Sequence, residues 1–214
     1  MRLDEVVQGF RAILRDIDAG SLARDLQPFA LCSLAFGTEL IARLDDGRFH
    51  DPGWVRTLAI DADARYLRAV RDASARPGPW RIAFDVAARG KHRAMRNLLL
   101  GINAHILYDL PVTLSQYASA DQVAEQRADF SRLNDIIRTA VDGVQDSLEV
   151  STRWLYAGDL LAGRVDEVAV WGTFQAARAA AFDLGAKLRD GSISLATIER
   201  AATASAHAIA LLPF

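Results

Sequence analysis

Apolar residues recur along this chain at three- and four-residue intervals, and no segment shows the strict alternation of a half-buried strand. Val6, Phe10, Ile13 and Ile17 fall on one stripe at i, i+4, i+7 and i+11, which predicts an amphipathic first helix. The run DAGS, Asp18–Ser21, breaks it. A second helix is predicted from Pro28 to about Leu44, closed by Asp45-Asp46-Gly47. In HDPGW, Asp51 is a natural N-cap and Pro52 suits the first helical position, where a missing N–H costs no hydrogen bond. That third helix carries AIDADARYLRAV and should end before Ala75–Pro79. WRIAFDVAARG then predicts a shorter helix stopped by Gly90.

The next segment, LLLGINAHILYDLP at Leu98–Pro111, is apolar on every side, the mark of a helix surrounded by others. It should belong to a buried central helix at about residues 92–110, ended or kinked by Pro111. Ser119 or Asp121 suits the N-cap of a long helix through DFSRLNDIIRTAVDGVQDSL. STRWLYAGDLLAG predicts a short helix. RVDEVAVWGTFQAARAAAFDLGAKL predicts a long one, with Asp166 and Glu167 in its first turn, where they complement the helix dipole. SLATIERAATASAHAIALL closes the chain. The expected fold is all-α, a single multi-helix bundle of about seven to nine helices, with residues 1–214 forming one domain.

Composition narrows the function. Hydrophobic residues make up 51% of the chain, enough for a sizeable core, and a net charge of −2 gives no electrostatic case for binding nucleic acid. The one basic cluster, RGKHRAMR at Arg89–Arg96, reads as a solvated helix start. The single cysteine, Cys32, cannot form an internal disulfide and lies in an apolar run, where it behaves as a small hydrophobe. The N-terminal stretch lacks the unbroken apolar run of a signal peptide, and the run Pro28–Leu44 is interrupted by Glu39 and Arg43, so a soluble, cytoplasmic protein is expected. No Gly-x-Gly-x-x-Gly follows a strand and no phosphate loop occurs, so no nucleotide cofactor is indicated. His50 reads as part of a turn and His207 as a packed or surface residue. Trp54, Trp80, Trp154 and Trp171 read as core or pocket wall.

The chemistry concentrates in the central helix. His105 and Asp109 share one face, one turn apart, while Asn103 points elsewhere. An unpaired buried carboxylate costs several kcal/mol, so Asp109 should have a partner or a bound cation. Neighbouring helices offer polar residues that a bundle can converge on it. Asn134 lies on an apolar face with Phe130, Ile137 and Val141, and Asp129 sits beside that face. Asp63 and Tyr66 share another helix face, with Arg65 adjacent, and His92 precedes His105 by about three and a half turns.

Such a pocket supports three roles. It can be a structural hydrogen-bonded network of His105, Asp109, Asn134 and Tyr66 that fixes helix register. It can hold one divalent metal ion on His105 and Asp109, with His92, Asp63 or Asp129 as third ligand. Or His105, oriented by Asp109, can act as a general base on a bound substrate, as in a lyase, isomerase or cyclase. Ser33 and Thr38 are available hydroxyls, but no nucleophile elbow Gly-x-Ser-x-Gly appears, so covalent catalysis is unsupported. The expectation is a small-molecule enzyme, hydrolase-type chemistry included, with His105, Asp109, Tyr66 and Asn134 as catalytic residues. Asn103, Arg65, Thr38 and Trp80 would bind substrate. The alternative is a non-catalytic binding or scaffold protein. A small molecule is the expected partner, with neither nucleic acid nor membrane, and a homo-oligomer stays open.

The combination FHDPGWVRTL…ARYLRAV, W-R-x-A-F, LLLGINAHILYDLP and DFSRLNDII resembles a bacterial family of helical domains of unknown function, over roughly Phe29 to Phe182. The resemblance implies that Tyr66, Asn103, His105, Asp109, Asp129 and Asn134 occupy the family's characteristic positions; it implies no activity. The chain is more loosely similar to the helical zinc-dependent phospholipase C and single-strand nuclease fold, where His-x-x-x-Asp supplies metal ligands. Only His105 and Asp109 match that pattern, and the further histidines of a trinuclear site are absent from the sequence.

Overall fold

The stripe of Val6, Phe10, Ile13 and Ile17 is buried along α1 (Leu3–Asp18), and the chain turns out of that helix at Gly20, whose φ of +74° suits glycine. This computed structural model describes residues 1–90, 94–118, 121–145 and 167–212. A short 3₁₀ turn, Arg24–Leu26, leads into α2 (Gln27–Arg43), which has Pro28 in its first turn. Helix α3 (Pro52–Arg71) starts as the sequence predicts: the Asp51 side chain accepts the Trp54 backbone N–H at 2.8 Å. Helix α4 (Gly78–Ala88) ends before Gly90, which has φ +59°.

The central helix differs from expectation at its C-terminal half. Pro111 neither ends it nor breaks it. Helix α5 (Ala94–Ala104) passes into a π-helical turn, His105–Asp109, and then directly into α6 (Leu110–Tyr117). The turn is defined by the Leu110 N–H bonding to the His105 carbonyl, five residues back. Proline in a helix interior offers no N–H and presses its ring against the carbonyl four residues earlier, here that of Leu107. A widened turn just upstream accommodates both defects without ending the helix. The boundary expected at about residue 110 is therefore too early.

Helix α7 (Val123–Gln145) follows, then α8 (Glu167–Arg189) and α9 (Leu195–Ala210), the last capped by Ser194, whose hydroxyl accepts the Thr197 N–H at 3.2 Å. The short helix predicted at Ser151–Gly163, Trp154 and the candidate cap Ser119 lie outside the described residues. Counting α5, the π turn and α6 as one, the described residues form eight helices and contain no strand, an all-α multi-helix bundle.

Its interior has three apolar clusters. The first joins α1, the start of α2, α3, α4 and α5 through Phe10, Phe29, Tyr66, Trp80, Phe84 and Leu100. The second joins the far ends of α2 and α3 to α6, α7 and α8 through Leu40, Leu58, Leu114, Phe130, Ile136 and Phe182. The third is small and holds Tyr108 and Val112 against Ile198 and Ala202 of α9. Consecutive alternate residues of the central helix reach all three: Ala104 the first, Ile106 the second and Tyr108 the third. The stretch Met95–Tyr117 is long and apolar enough to cross a membrane, but 72% of its most apolar window is buried inside the protein. That is the signature of a core helix.

Candidate functional site

The π turn sets the geometry of the site. It carries His105 and Asp109 on adjacent turns, with the His105 Nδ1 3.8 Å from Asp109 Oδ2. That is an ion-pair distance, too long for a hydrogen bond. Asp109 Oδ2 instead accepts the indole N–H of Trp80 at 2.8 Å. Trp80 is fully buried on α4, so this donor is fixed, and it holds the carboxylate from a neighbouring helix. The side chain of Asp109 is 1% exposed and that of His105 is 19% exposed. The carboxylate is sealed, and the imidazole opens towards solvent.

Asp63 of α3 interacts with the pair through charge. It is buried, and burial pushes its carboxyl up to about 7, with the His105 imidazole acting against that rise and the Asp109 charge adding to it. These mutual effects place Asp63, His105 and Asp109 in one electrostatic neighbourhood. Burial also raises the Asp109 carboxyl, opposed by His105, by the Trp80 N–H and by the more distant Arg65. Three polar atoms of the group lack any hydrogen-bond partner: Asp63 Oδ2, His105 Nδ1 and Asp109 Oδ1.

An aromatic wall stands behind them. Phe29 packs edge-on to Tyr66 and Trp80 with ring centroids 4.9 and 5.4 Å apart, and lies 5.9 Å from the His105 ring. Phe29 reaches this position because Gly101 lets it approach α5: a Cβ there would lie 2.6 Å from the Phe29 ring. Tyr66 forms part of the wall, stacking with Phe10 and Phe84. Its hydroxyl is unpartnered, and burial pushes it above the tyrosine range, with Arg76 as the charge that acts on it.

The remaining sequence candidates go elsewhere. Asn134 accepts the Nε–H of the buried Arg178 at 2.7 Å, linking α7 to α8 beneath the Phe130 ring. The Asn103 amide donates to the Ala202 carbonyl at 3.0 Å and ties the central helix to α9. Arg65 bonds Asp61 and Thr113 at 2.8 Å each, and so reaches the site only through its charge. Thr38 is exposed and donates to Leu34 of its own helix. The structure does not bring Asn134, Asn103 or Thr38 to the pair. Asp129 serves the architecture, since its two oxygens accept the backbone N–H groups of His50 and Asp51 at 2.9 and 2.8 Å and pin the start of α3 to α7. Cys32 is partly buried, and its surroundings push the thiol up to about 12, the opposite of an activated nucleophile.

His92 lies outside the described residues, so the third ligand expected for a metal is not placed. Among the described residues no group of three histidine, cysteine, aspartate or glutamate side chains is arranged to hold a metal ion. Sequence reasoning names Asp63 as an inward-facing residue and spare ligand, and Trp80 as core, pocket wall or substrate contact; it does not foresee the Trp80–Asp109 hydrogen bond. It misses the π turn, although Pro111, two residues beyond Asp109, is its signal.

Fold and site together define an all-α domain built around a partly exposed histidine and two buried carboxylates on and beside a π-helical turn. The chain belongs to the family of unknown function DUF5995, whose model matches residues 3–212, a wider span than the resemblance drawn from the motifs. No curated protein and no solved structure matches it.

Proposed function

We propose that this protein is an enzyme acting on a small organic molecule by proton transfer, with His105 as general base and Asp109 as the carboxylate that orients it. One observation carries this reading: His105 is open to solvent over carboxylates whose free oxygens have no partner inside the protein. Each unpaired buried polar atom costs about 1–3 kcal/mol, and two of them belong to the His105–Asp109 pair itself. His105 is the member of this group that solvent reaches, with Asp109 sealed behind it. Asp63, held near neutrality by burial, supports the acid role opposite the base, since paired acid–base work needs groups whose environments differ. A lyase, isomerase or cyclase reaction fits that equipment.

The Trp80–Asp109 hydrogen bond favours the alternative of a non-catalytic binding protein, since it would serve a quiet network equally well. Incubating the protein and its His105→Gln variant with mixed small metabolites, read by mass spectrometry, separates the two. The enzyme reading expects at least one compound consumed by the parent alone, with similar melting temperatures. No His105-dependent conversion, together with a loss of about 1–3 kcal/mol in the variant, would leave the structural role standing.

A further inference from the structure

We propose that Asp61, Arg65 and Thr113 are the positioning residues of the His105–Asp109 pair, a hydrogen-bonded triangle that fixes α3 against the helix leaving the π turn. This deepens the enzyme reading and concerns the same site. The triangle closes on one acidic oxygen. Asp61 Oδ2 accepts an Arg65 Nη2–H and the Thr113 hydroxyl at 2.8 Å each, and the Arg65 Nε–H at 3.1 Å. Thr113 Oγ1 accepts that same Nε–H at 2.8 Å. Thr113 is wholly buried, while the Arg65 and Asp61 side chains are part-exposed.

Thr113 departs from what other threonines of this fold do. Thr38, Thr57 and Thr139 each donate to the carbonyl four residues back in their own helix. For Thr113 that carbonyl belongs to Asp109, and the hydroxyl crosses to α3 instead. Asp61 and Arg65 stand two residues either side of Asp63 on α3, and Thr113 stands one turn beyond Asp109. The three therefore act on the pair through the helix that carries it. Elsewhere the two helices share an apolar cluster, Leu58 and Ala62 with Ile106, Leu110 and Leu114, and apolar contact is non-directional. Hydrogen bonds are directional, so the triangle selects a register that packing leaves free. A part-exposed ion pair adds little stability, which leaves register as its use. A slide of about 1 Å would join or part His105 and Asp109, which stand 3.8 Å apart.

Carbethoxylation of the full chain by diethyl pyrocarbonate, resolved by peptide mass spectrometry, together with the ¹⁵N resonances of the His105 ring, tests this. Thr113→Val keeps the shape and removes the hydroxyl. It should shift the His105 resonances and raise carbethoxylation of His105 about threefold or more, while the exposed His207 reacts as in the parent. Thr113→Ser restores the hydroxyl and should restore both readings. Ser194→Ala, which weakens a cap on α9, is the control for a merely structural loss and should leave His105 unmoved. A folded Thr113→Val with the parent's His105 signals would overturn the proposal, as would a folded Thr113→Ser that fails to restore them, or an equal change in Ser194→Ala. Should Thr113→Val not fold, Arg65→Gln at the part-exposed corner decides by the same readings. Turnover is not among them: a moved imidazole without any His105-dependent conversion refutes the enzyme alone, and an unmoved one in an active protein refutes the positioning alone.

Discussion

Asp63 makes the most quantitative claim on this structure. Its carboxyl titrates at about 7 in the folded protein against 3.8 in a free chain, so the native state holds a proton that the unfolded state has released across that interval. Stability is therefore greatest below the unfolded value and is lost as pH rises towards 7. About three pK units correspond to about 4 kcal/mol between the two limits. Asp63→Asn removes the ionisation but keeps the shape, so the variant should gain on the parent steadily from pH 4 to pH 8. The gap between them should change by about 4 kcal/mol over that range, equivalent to about 8–16 °C in melting temperature for a domain of this size. Urea unfolding of both proteins at half-unit pH steps measures it. Parallel curves for parent and variant would refute the placement of Asp63 in a dry site beside Asp109.

The other expectations concern the supports of the same centre. Trp80→Phe deletes one N–H and leaves Asp109 Oδ2 without its donor, so thermal unfolding should show a loss of about 1.5–3 kcal/mol, the range for a hydrogen bond to a charged group, shrinking as pH falls and the carboxyl protonates. Pro111→Ala removes the reason for the π turn; its melting temperature should hold or rise while His105-dependent conversion falls, and unchanged conversion would show that the widened turn does not set the site. Gly101→Ala forces a methyl group against the Phe29 ring and should destabilise by about 1–3 kcal/mol in chemical denaturation. Asp129→Ala frees two backbone N–H groups at the start of α3, and hydrogen exchange at His50 and Asp51 should accelerate well before global unfolding.

Much of the architecture is legible in the chain because helical periodicity and caps are local signals. Asp51 caps α3 and Gly90 ends α4 as their residue types dictate, and neither depends on distant parts of the chain. Convergence is not local. Asn134, Tyr66 and Asp63 all carry the same credentials, polar groups on inward faces, yet of these only Asp63 acts electrostatically on the His105 pair. Helix rotation and crossing angle decide that, and both follow from how large side chains interlock. Asn134 turns to Arg178, a contact between helices α7 and α8 that no spacing along either one encodes. The Tyr66 ring is absorbed into the cluster of Phe10, Phe29, Trp80 and Phe84.

The π turn explains how unmet polar atoms persist at the centre of a bundle. A turn with extra width and unsatisfied neighbours is locally unfavourable, and left to itself the segment would relax to a regular α-helix. Here Pro111 blocks that relaxation on the C-terminal side, because restoring the regular repeat would press its ring against the Leu107 carbonyl. Packing blocks it laterally: Ala104, Ile106 and Tyr108 are seated in three separate apolar clusters, so rotating the turn would unseat all of them together. Burying residues of this size contributes about 1.5–3 kcal/mol apiece for the larger ones, which exceeds the cost of a few open polar atoms. The same arrangement holds the His105 ring at the opening while keeping Asp109 sealed behind it. Fixing both groups before any ligand arrives is what proton transfer at a preformed site requires, and a freely adjusting α-helical turn would not supply it.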